Sequence, residues 1–327
     1  MLVPNPVPCA ARKCHKPLSW RQSLRAPSEK QPQVYAWARK RVNVTRDNGS
    51  ARKGKPKLGQ HFLRDQEAIQ RIVEALGDIR QSTILEIGPG PGTLTGLLAK
   101  RAGRLIAVEV DRVLAAQLSM AYALAPSVEV IQADILTIDF DTLFAPRPGT
   151  VRPGIQREPE RVRVVGNLPY YITSDILLHL FAFQQYFDRV VIMVQREVAD
   201  RLVAKPGGSA YGLLSATTQL YARVEKLFEL PPAAFSPPPK VHSAVIRLTM
   251  EPKELGLSAP KLIEFFKLAF GQKRKTLWNN LKGRYNEADL KAALEETKVK
   301  PSVRAEALSI EKMAGLARLL SAEIAKK

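Results

Sequence analysis

The chain has 327 residues, of which 45% are hydrophobic and 25% charged, and this composition excludes a wholly disordered chain, a collagen and a coiled-coil rod. No apolar run reaches the length of a bilayer-spanning helix. Lys and Arg number 50 against 31 Asp and Glu, a formal net charge of +19, which favours a polyanionic partner such as nucleic acid or an anionic membrane surface.

The N-terminal residues hold most of this charge. Residues 1–57 contain 14 basic residues, two acidic residues and recurrent prolines, without a helical or strand period. We therefore predict a disordered basic arm over residues 1–54. An Arg-rich, acid-poor start is also typical of an organellar transit peptide, and an RNA-contacting arm or a start codon assigned too early would look the same. Cys9, Cys14 and His15 lie here without a fourth ligand, so we predict no metal site.

Residues 58–250 alternate between strand and helix patterns. Strands rich in Val and Ile on both faces, separated by helices, indicate a parallel, doubly wound α/β sheet. The predicted helices cover residues 65–76, 92–102, 111–121 and 173–183. The predicted strands are Thr83–Gly88, Arg104–Val110, Val128–Gln132, Val162–Gly166, Arg189–Gln195 and Ser243–Leu248.

Three of the predicted strands end at residues suited to a nucleotide. The first runs into a turn with Gly88, Gly90 and Gly92, where glycine permits a sharp turn and the close approach of a ligand. Glu109 ends the second strand, 21 residues after Gly88, where a carboxylate can accept two ribose hydroxyls. This spacing does not separate NAD from S-adenosylmethionine. Asp134 follows the third strand, where it could accept the exocyclic amine of an adenine or simply cap a turn.

The loop after the fourth strand, Asn167-Leu168-Pro169-Tyr170, suggests chemistry on a base. The exocyclic amine of a base is a poor nucleophile because its lone pair is delocalised into the ring. Hydrogen bonds to the Asn167 side-chain oxygen and the Leu168 carbonyl would localise that pair, and Pro169 would hold the carbonyl. Tyr170 offers a stacking face, worth roughly 1–3 kcal/mol. No proton-abstracting residue is needed before attack.

Helical periodicity dominates residues 251–327, and we predict a small helical domain there. Its basic residues are candidates for contacts to RNA phosphates, although a solvated helix face would have the same composition. They are Lys273, Arg274, Lys275 and Lys282.

Seven segments together resemble the adenine-N6 dimethyltransferases of small-subunit ribosomal RNA (the KsgA/RsmA type). The resemblance runs in order over residues 55–325 and does not cover residues 1–54. The segments are GQHFL (59–63), EIGPGPGTLT (86–95), VEVD (108–111), GNLPYYITSDIL (166–177), AYGLLS (210–215), FSPPPKVHSAVIRL (235–248) and GQKRKTLWNNL (271–281).

The resemblance implies a Rossmann-like, seven-stranded S-adenosylmethionine-dependent methyltransferase domain over residues 55–250 and a helical RNA-binding domain over 251–327. It implies transfer of methyl groups to N6 of two adjacent adenosines near the 3′ end of 16S rRNA, during biogenesis of the small subunit. Implied catalytic residues are Asn167, Leu168, Pro169, Tyr170 and Phe235, with Phe235 clamping the adenine opposite Tyr170. Implied cofactor contacts are His61, Leu63, Gly88, Glu109, Asp134 and Asn167, of which His61 replaces an Asn found in many members.

Other protein classes account less well for the loop Asn167–Tyr170 and the C-terminal segments. An NAD-linked oxidoreductase gives no reason for the Asn167–Tyr170 loop, and a non-catalytic ribosome-assembly or transcription factor gives no reason to keep it. A DNA adenine methyltransferase usually has Asp and two prolines in this loop. The sibling family that methylates large-subunit rRNA differs in the loop and in the segments at 235–248 and 271–281. We expect a cytoplasmic monomer that acts on a pre-ribosomal small subunit and has no membrane partner.

Overall fold

The computed structural model describes residues 61–145 and 161–324. The predicted arm over residues 1–54, including its Cys and His residues, lies outside these ranges. In the part of the chain that is described, no helix combines the length and the apolarity needed to cross a membrane.

Among the described residues, seven strands form the main sheet in the order β4-β3-β2-β5-β6-β9-β7, and two short strands, β1 and β8, pair separately. Strands β2 to β6 are mutually parallel, as predicted, whereas β9 is antiparallel to both β6 and β7. The strands are β1 Phe62–Leu63, β2 Thr83–Ile87, β3 Arg104–Glu109, β4 Val128–Gln132, β5 Val162–Asn167, β6 Phe187–Gln195, β7 Ala222–Leu230, β8 Phe235–Ser236 and β9 Ser243–Met250.

The antiparallel edge is an addition to the predicted parallel sheet. Residues 231–242, all of which the structure describes, connect β7 to β9 without an α-helix, and a parallel pair would require a long crossover connection, usually helical. Strand β7 itself was not predicted. Its charged residues alternate with apolar ones, as expected for a strand at the edge of a sheet.

Helices cover the two faces of the sheet and form most of the chain after β9. The four helices predicted over residues 65–76, 92–102, 111–121 and 173–183 are all present, and each end lies within three residues of the prediction. They are α1 Gln66–Ala75, α2 Thr95–Arg101, α3 Arg112–Ala121, α4 Phe140–Leu143, α5 Thr173–Ala182, α6 Arg196–Val203, α7 Leu213–Tyr221, α8 Ala259–Ala269, α9 Leu277–Leu281, α10 Glu287–Glu296 and α11 Ile310–Ile324.

Two apolar clusters lie on opposite faces of the sheet, because successive strand residues point in opposite directions. Ile84 of β2 belongs to the cluster that includes α1, and the next residue, Leu85, belongs to the other. This second cluster continues from the sheet into α8, α10 and α11 without a break. The predicted domain boundary near residue 251 stays a prediction, and the C-terminal helices share a core with the sheet.

Candidate active site

The predicted site residues converge on one edge of the sheet. Gly88 follows β2, Glu109 ends β3, Asp134 follows β4 and Asn167 ends β5. These strands are neighbours in the order β4-β3-β2-β5, so their carboxyl ends meet at one edge. The chain steps from β2 to β3 on one side and returns to β5 on the other, and such a reversal is where open α/β sheets bind ligands.

A cavity opens at these strand ends and encloses about 950 Å³ of space, counting its open side. Eight of the predicted residues line it: His61, Gly88, Glu109, Asp134, Asn167, Leu168, Pro169 and Tyr170.

The glycine turn after β2 brings the backbone close to other groups. Gly88 and Gly90 adopt φ of +64° and +59°, a region that side chains other than glycine rarely enter. A Cβ on Gly90 would lie 2.8 Å from Cε1 of Phe62. The turn therefore requires glycine at this position for two reasons, its backbone conformation and its contact with the Phe62 ring.

Glu109 is already held by the protein backbone. Its side chain is 3% exposed. One carboxylate oxygen accepts from the Gly90 N–H at 2.9 Å, and the other accepts from the Asp111 N–H at 2.9 Å. The carboxylate thus joins the glycine turn to the start of α3. Each oxygen keeps a further lone pair that can accept a ligand hydroxyl.

A second buried carboxyl group, Glu86, lies in β2 just before the glycine turn. The Thr95 hydroxyl donates to it at 2.8 Å. Burial raises the pKa of Glu86 to about 8, with the nearby Glu109 charge acting in the same direction and the Thr95 hydrogen bond opposing it. Glu86 is therefore protonated at neutral pH. No role for Glu86 was predicted from the sequence.

Asp134 is both a turn residue and part of the cavity wall. One carboxylate oxygen accepts from the Leu136 N–H at 3.0 Å and caps the short 3-10 helix Ile135–Thr137. The residue is exposed and lines the cavity, so its other oxygen can accept a hydrogen bond from a ligand.

Val110, which is 50% exposed, lines the same cavity. No sequence signal identified Val110, because it continues the apolar pattern of the predicted strand Arg104–Val110.

The loop after β5 presents two acceptors. The Asn167 amide nitrogen donates to the His61 carbonyl at 2.8 Å, which fixes the direction of the amide. The Leu168 N–H donates to the Met193 carbonyl at 3.1 Å, which fixes the preceding peptide. No described residue donates to the Asn167 side-chain oxygen or to the Leu168 carbonyl. Both oxygens therefore keep their full capacity to accept hydrogen bonds from a ligand.

Tyr170 is held from two directions. Its ring stacks against the His61 ring at a centroid distance of 6.2 Å and an interplanar angle of 22°. Its hydroxyl lies 3.0 Å from the Ser243 hydroxyl. The His61 ring is itself anchored, with Nδ1 2.8 Å from the Pro237 carbonyl oxygen.

Two predicted residues have side chains outside the cavity lining. Leu63 and Phe235 are opposite each other in the antiparallel pair β1–β8, and both are 4% exposed within the apolar cluster that includes α1. Directly paired residues share a face, so the pairing directs both into the core. The structure thus corrects the predicted clamp, since the Phe235 ring is not where it could stack on a base opposite Tyr170. Phe62, adjacent to Leu63 in β1, lines the cavity instead.

The cavity suits a nucleoside-bearing cofactor. It combines a glycine turn, two carboxylates for hydroxyl or amine groups, and the apolar side chain of Val110. Within residues 61–145 and 161–324, no group of three His, Cys, Asp or Glu side chains is arranged to hold a metal ion.

Comparison with known proteins identifies ribosomal RNA methyltransferases as relatives of this chain. A profile of the ribosomal RNA adenine dimethylase family matches residues 51–322. Ribosomal RNA small subunit methyltransferase A of Koribacter versatilis is 56% identical over 264 residues, which cover 80% of this chain and 93% of that protein. The protein of the same name from Acidobacterium capsulatum is 51% identical over 271 residues, covering 82% and 92%.

Solved structures give the same fold. The 23S rRNA methyltransferase ErmE is 27% identical with a TM-score of 0.59, covering 80% of this chain and 99% of that one. A dimethyladenosine transferase from Plasmodium falciparum has a TM-score of 0.61 at 23% identity, covering 78% and 96%. At 23% identity, the likeness to the Plasmodium falciparum protein supports only a shared fold.

Proposed function

Because the chain belongs to the ribosomal RNA adenine dimethylase family, it is an S-adenosylmethionine-dependent adenine-N6 dimethyltransferase of small-subunit ribosomal RNA, and we propose that the cavity at the ends of β2 to β5 is its active site. We further propose that its targets are two adjacent adenosines near the 3′ end of that RNA, in a pre-ribosomal small subunit. The sequence resemblance supports the target, and the cavity supports the chemistry.

Four residues would hold the cofactor. Gly88 allows the backbone to approach it, Glu109 would accept from ribose hydroxyls, Asp134 would accept from the adenine amine, and Val110 would contact the adenine ring. S-adenosylmethionine supplies an electrophilic methyl group when bound. Leu63 would contribute through its backbone at most, because its side chain is in the core.

The observation that carries the proposal is the pair of available acceptors in the loop after β5. An N6 amine needs two acceptors to draw its lone pair out of conjugation. The Asn167 oxygen and the Leu168 carbonyl receive no hydrogen bond from described residues, and both residues line the cavity that also contains Glu109. The bond from the Asn167 amide nitrogen to the His61 carbonyl orients the first acceptor, and the bond from the Leu168 N–H to Met193 restrains the peptide that precedes the second. Polar groups that are oriented before substrate arrives assist a reaction.

Tyr170 supplies a face for the base once it leaves the RNA stack. Extrusion of a base costs a few kcal/mol, and stacking on an aromatic ring returns roughly 1–3 kcal/mol. One face of the Tyr170 ring is turned towards His61, so a stacked adenine would use the opposite face.

Binding of the RNA backbone would depend on basic residues away from the cavity. Residues 271–275, which include Lys273, Arg274 and Lys275, form an exposed turn before α9, and Lys282 directly after α9 is also exposed. Such a cluster fits a phosphate-binding surface. We propose that the enzyme acts as a cytoplasmic monomer and that the basic segment over residues 1–54 adds nonspecific affinity.

Small-subunit RNA is favoured over large-subunit RNA by sequence. The likeness to the 23S rRNA methyltransferase ErmE spans most of both chains but at 27% identity. The likeness to two small-subunit methyltransferases reaches 56% and 51% over similar lengths. The likeness to ErmE reflects a shared fold. The much higher identity to the two small-subunit methyltransferases supports small-subunit RNA as the substrate of this chain as well.

The test is methylation of isolated ribosomal subunits from cells that lack this modification. The full chain and S-adenosylmethionine should produce primer-extension stops at two neighbouring adenines near the 3′ end of the small-subunit RNA, because dimethylated adenine cannot pair. Large subunits serve as the control substrate and should give no stop. The Asn167→Ala variant should bind small subunits yet give no stop. Stops in large-subunit RNA alone would overturn the assignment.

A further inference from the structure

A buried serine outside the cavity lining contacts Tyr170. Ser243 begins β9, where it is paired with Gln195 of β6 and with Leu230 of β7, and it is fully buried. A hydroxyl in such a position costs free energy unless it is hydrogen bonded. The Tyr170 hydroxyl, 3.0 Å away, provides that bond.

This bond fixes the far end of the Tyr170 ring. The backbone of Tyr170 belongs to the turn after β5, and its side chain is half-buried. Rotation about the side-chain bonds would swing the ring, and the hydroxyl is the atom that would move furthest. Strand β9 lies between two neighbours in the sheet, so Ser243 provides a rigid anchor.

Contact with His61 does not replace this anchor. Stacking at 6.2 Å and 22° constrains one face of the ring, but a stacked ring can still slide and turn in its own plane. A hydrogen bond is directional, and together the two contacts define both the plane of the ring and its position in that plane.

We infer that Ser243 is a positioning residue for the reaction, which acts by holding the Tyr170 ring where the target adenine stacks. The inference rests on the proposed function of the cavity. Ser243 is buried and does not line the cavity, so it touches neither the base nor the cofactor. Its effect on catalysis passes through Tyr170.

A double-mutant cycle of Ser243→Ala and Tyr170→Phe tests this inference. Each single variant removes the same hydrogen bond, so each should lower kcat/KM for small-subunit methylation about three- to tenfold, the effect of one neutral hydrogen bond. The double variant should be no slower than the singles, because it removes no further bond. Affinity for S-adenosylmethionine, measured by calorimetry, should stay within about twofold of wild type, since the cofactor residues are untouched.

Two further variants separate positioning from general effects on the core. In a Tyr170→Ala background, where the ring is absent and activity should fall by orders of magnitude, Ser243→Ala should have no added effect. Ser215 is another fully buried serine, whose hydroxyl donates to the Arg201 carbonyl instead. Ser215→Ala should therefore combine multiplicatively with Tyr170→Phe.

Multiplicative losses from Ser243→Ala and Tyr170→Phe would overturn the inference, as would a Ser243→Ala variant with unchanged kcat/KM. Failure of the proposed function would look different, because the wild-type chain itself would then not methylate small subunits.

Discussion

Replacement of Glu109 by Ala should destabilise the protein before any ligand is added. The carboxylate accepts from the N–H groups of Gly90, which is buried, and of Asp111, which is partly buried. A buried backbone group left without a partner costs about 1–3 kcal/mol. Water can reach the Asp111 group more readily, so we expect a loss of about 2–4 kcal/mol in the free energy of unfolding. That is a large share of the roughly 5–15 kcal/mol typical of a folded protein.

Urea unfolding of the ligand-free protein, followed by circular dichroism, measures this loss. Asp134→Ala is the matched control, because it removes an exposed carboxylate from the same cavity wall and one capping bond to Leu136, typically worth about 1 kcal/mol. Glu109→Ala should also weaken S-adenosylmethionine binding at least several-fold and leave RNA binding unchanged. A Glu109→Ala variant that unfolds at the wild-type urea concentration, or that shifts it no further than Asp134→Ala does, would refute this reasoning.

Three more outcomes follow from the site. Between pH 4.5, the ordinary pKa of a Glu side chain, and about pH 8, Glu86 is protonated in the folded protein and ionised in the unfolded chain. The free energy of unfolding of the wild type should therefore fall as pH rises through this window. The Glu86→Gln variant should not show this fall, and parallel pH profiles of thermal unfolding for the two proteins would contradict the prediction. Gly90→Ala should weaken cofactor binding about tenfold in calorimetry, because the left-handed backbone costs an alanine about 1–2 kcal/mol and the added Cβ meets the Phe62 ring. Gly283→Ala is the control, and it should leave cofactor binding unchanged because there is open space around Gly283. Glutamine at all three basic positions of residues 273–275 should reduce the slope of log K against log salt for RNA by about 0.7–0.9 for each phosphate that is no longer neutralised, and an unchanged slope would remove that surface from the interface.

Local patterns in the sequence were sufficient to predict which strand ends line the cavity. Gly88, Glu109 and Asn167 each stand at the end of an apolar strand, and in a parallel sheet such ends meet whatever the details of packing. The helices whose apolar residues recur at helical spacing were predicted for the same reason.

Contacts between distant segments could not be predicted in this way. The burial of Phe235 depends on its pairing with Leu63, and nothing in either segment specifies the other as partner. The same holds for the contact of Ser243 with Tyr170 and for the burial that raises the pKa of Glu86. Strand β7 was missed because its alternation of charged and apolar residues breaks at Glu225-Lys226 and Leu227-Phe228, near the shift in its register with β9.

The pairing of β1 with β8 also bears on when the site can form during synthesis. Residues 62–63 meet residues 235–236, and the His61 ring reaches the Pro237 carbonyl across 176 positions of the chain. A nascent chain that has not yet released this later segment from the ribosome cannot close the wall of the cavity, although β2 to β5 can already pair. Contacts between residues so far apart form late, because the chain entropy lost on closing the loop precedes the gain. The cavity wall can therefore close only after residue 237 has left the ribosome, and a chain released before that point carries the glycine turn without the anchored His61.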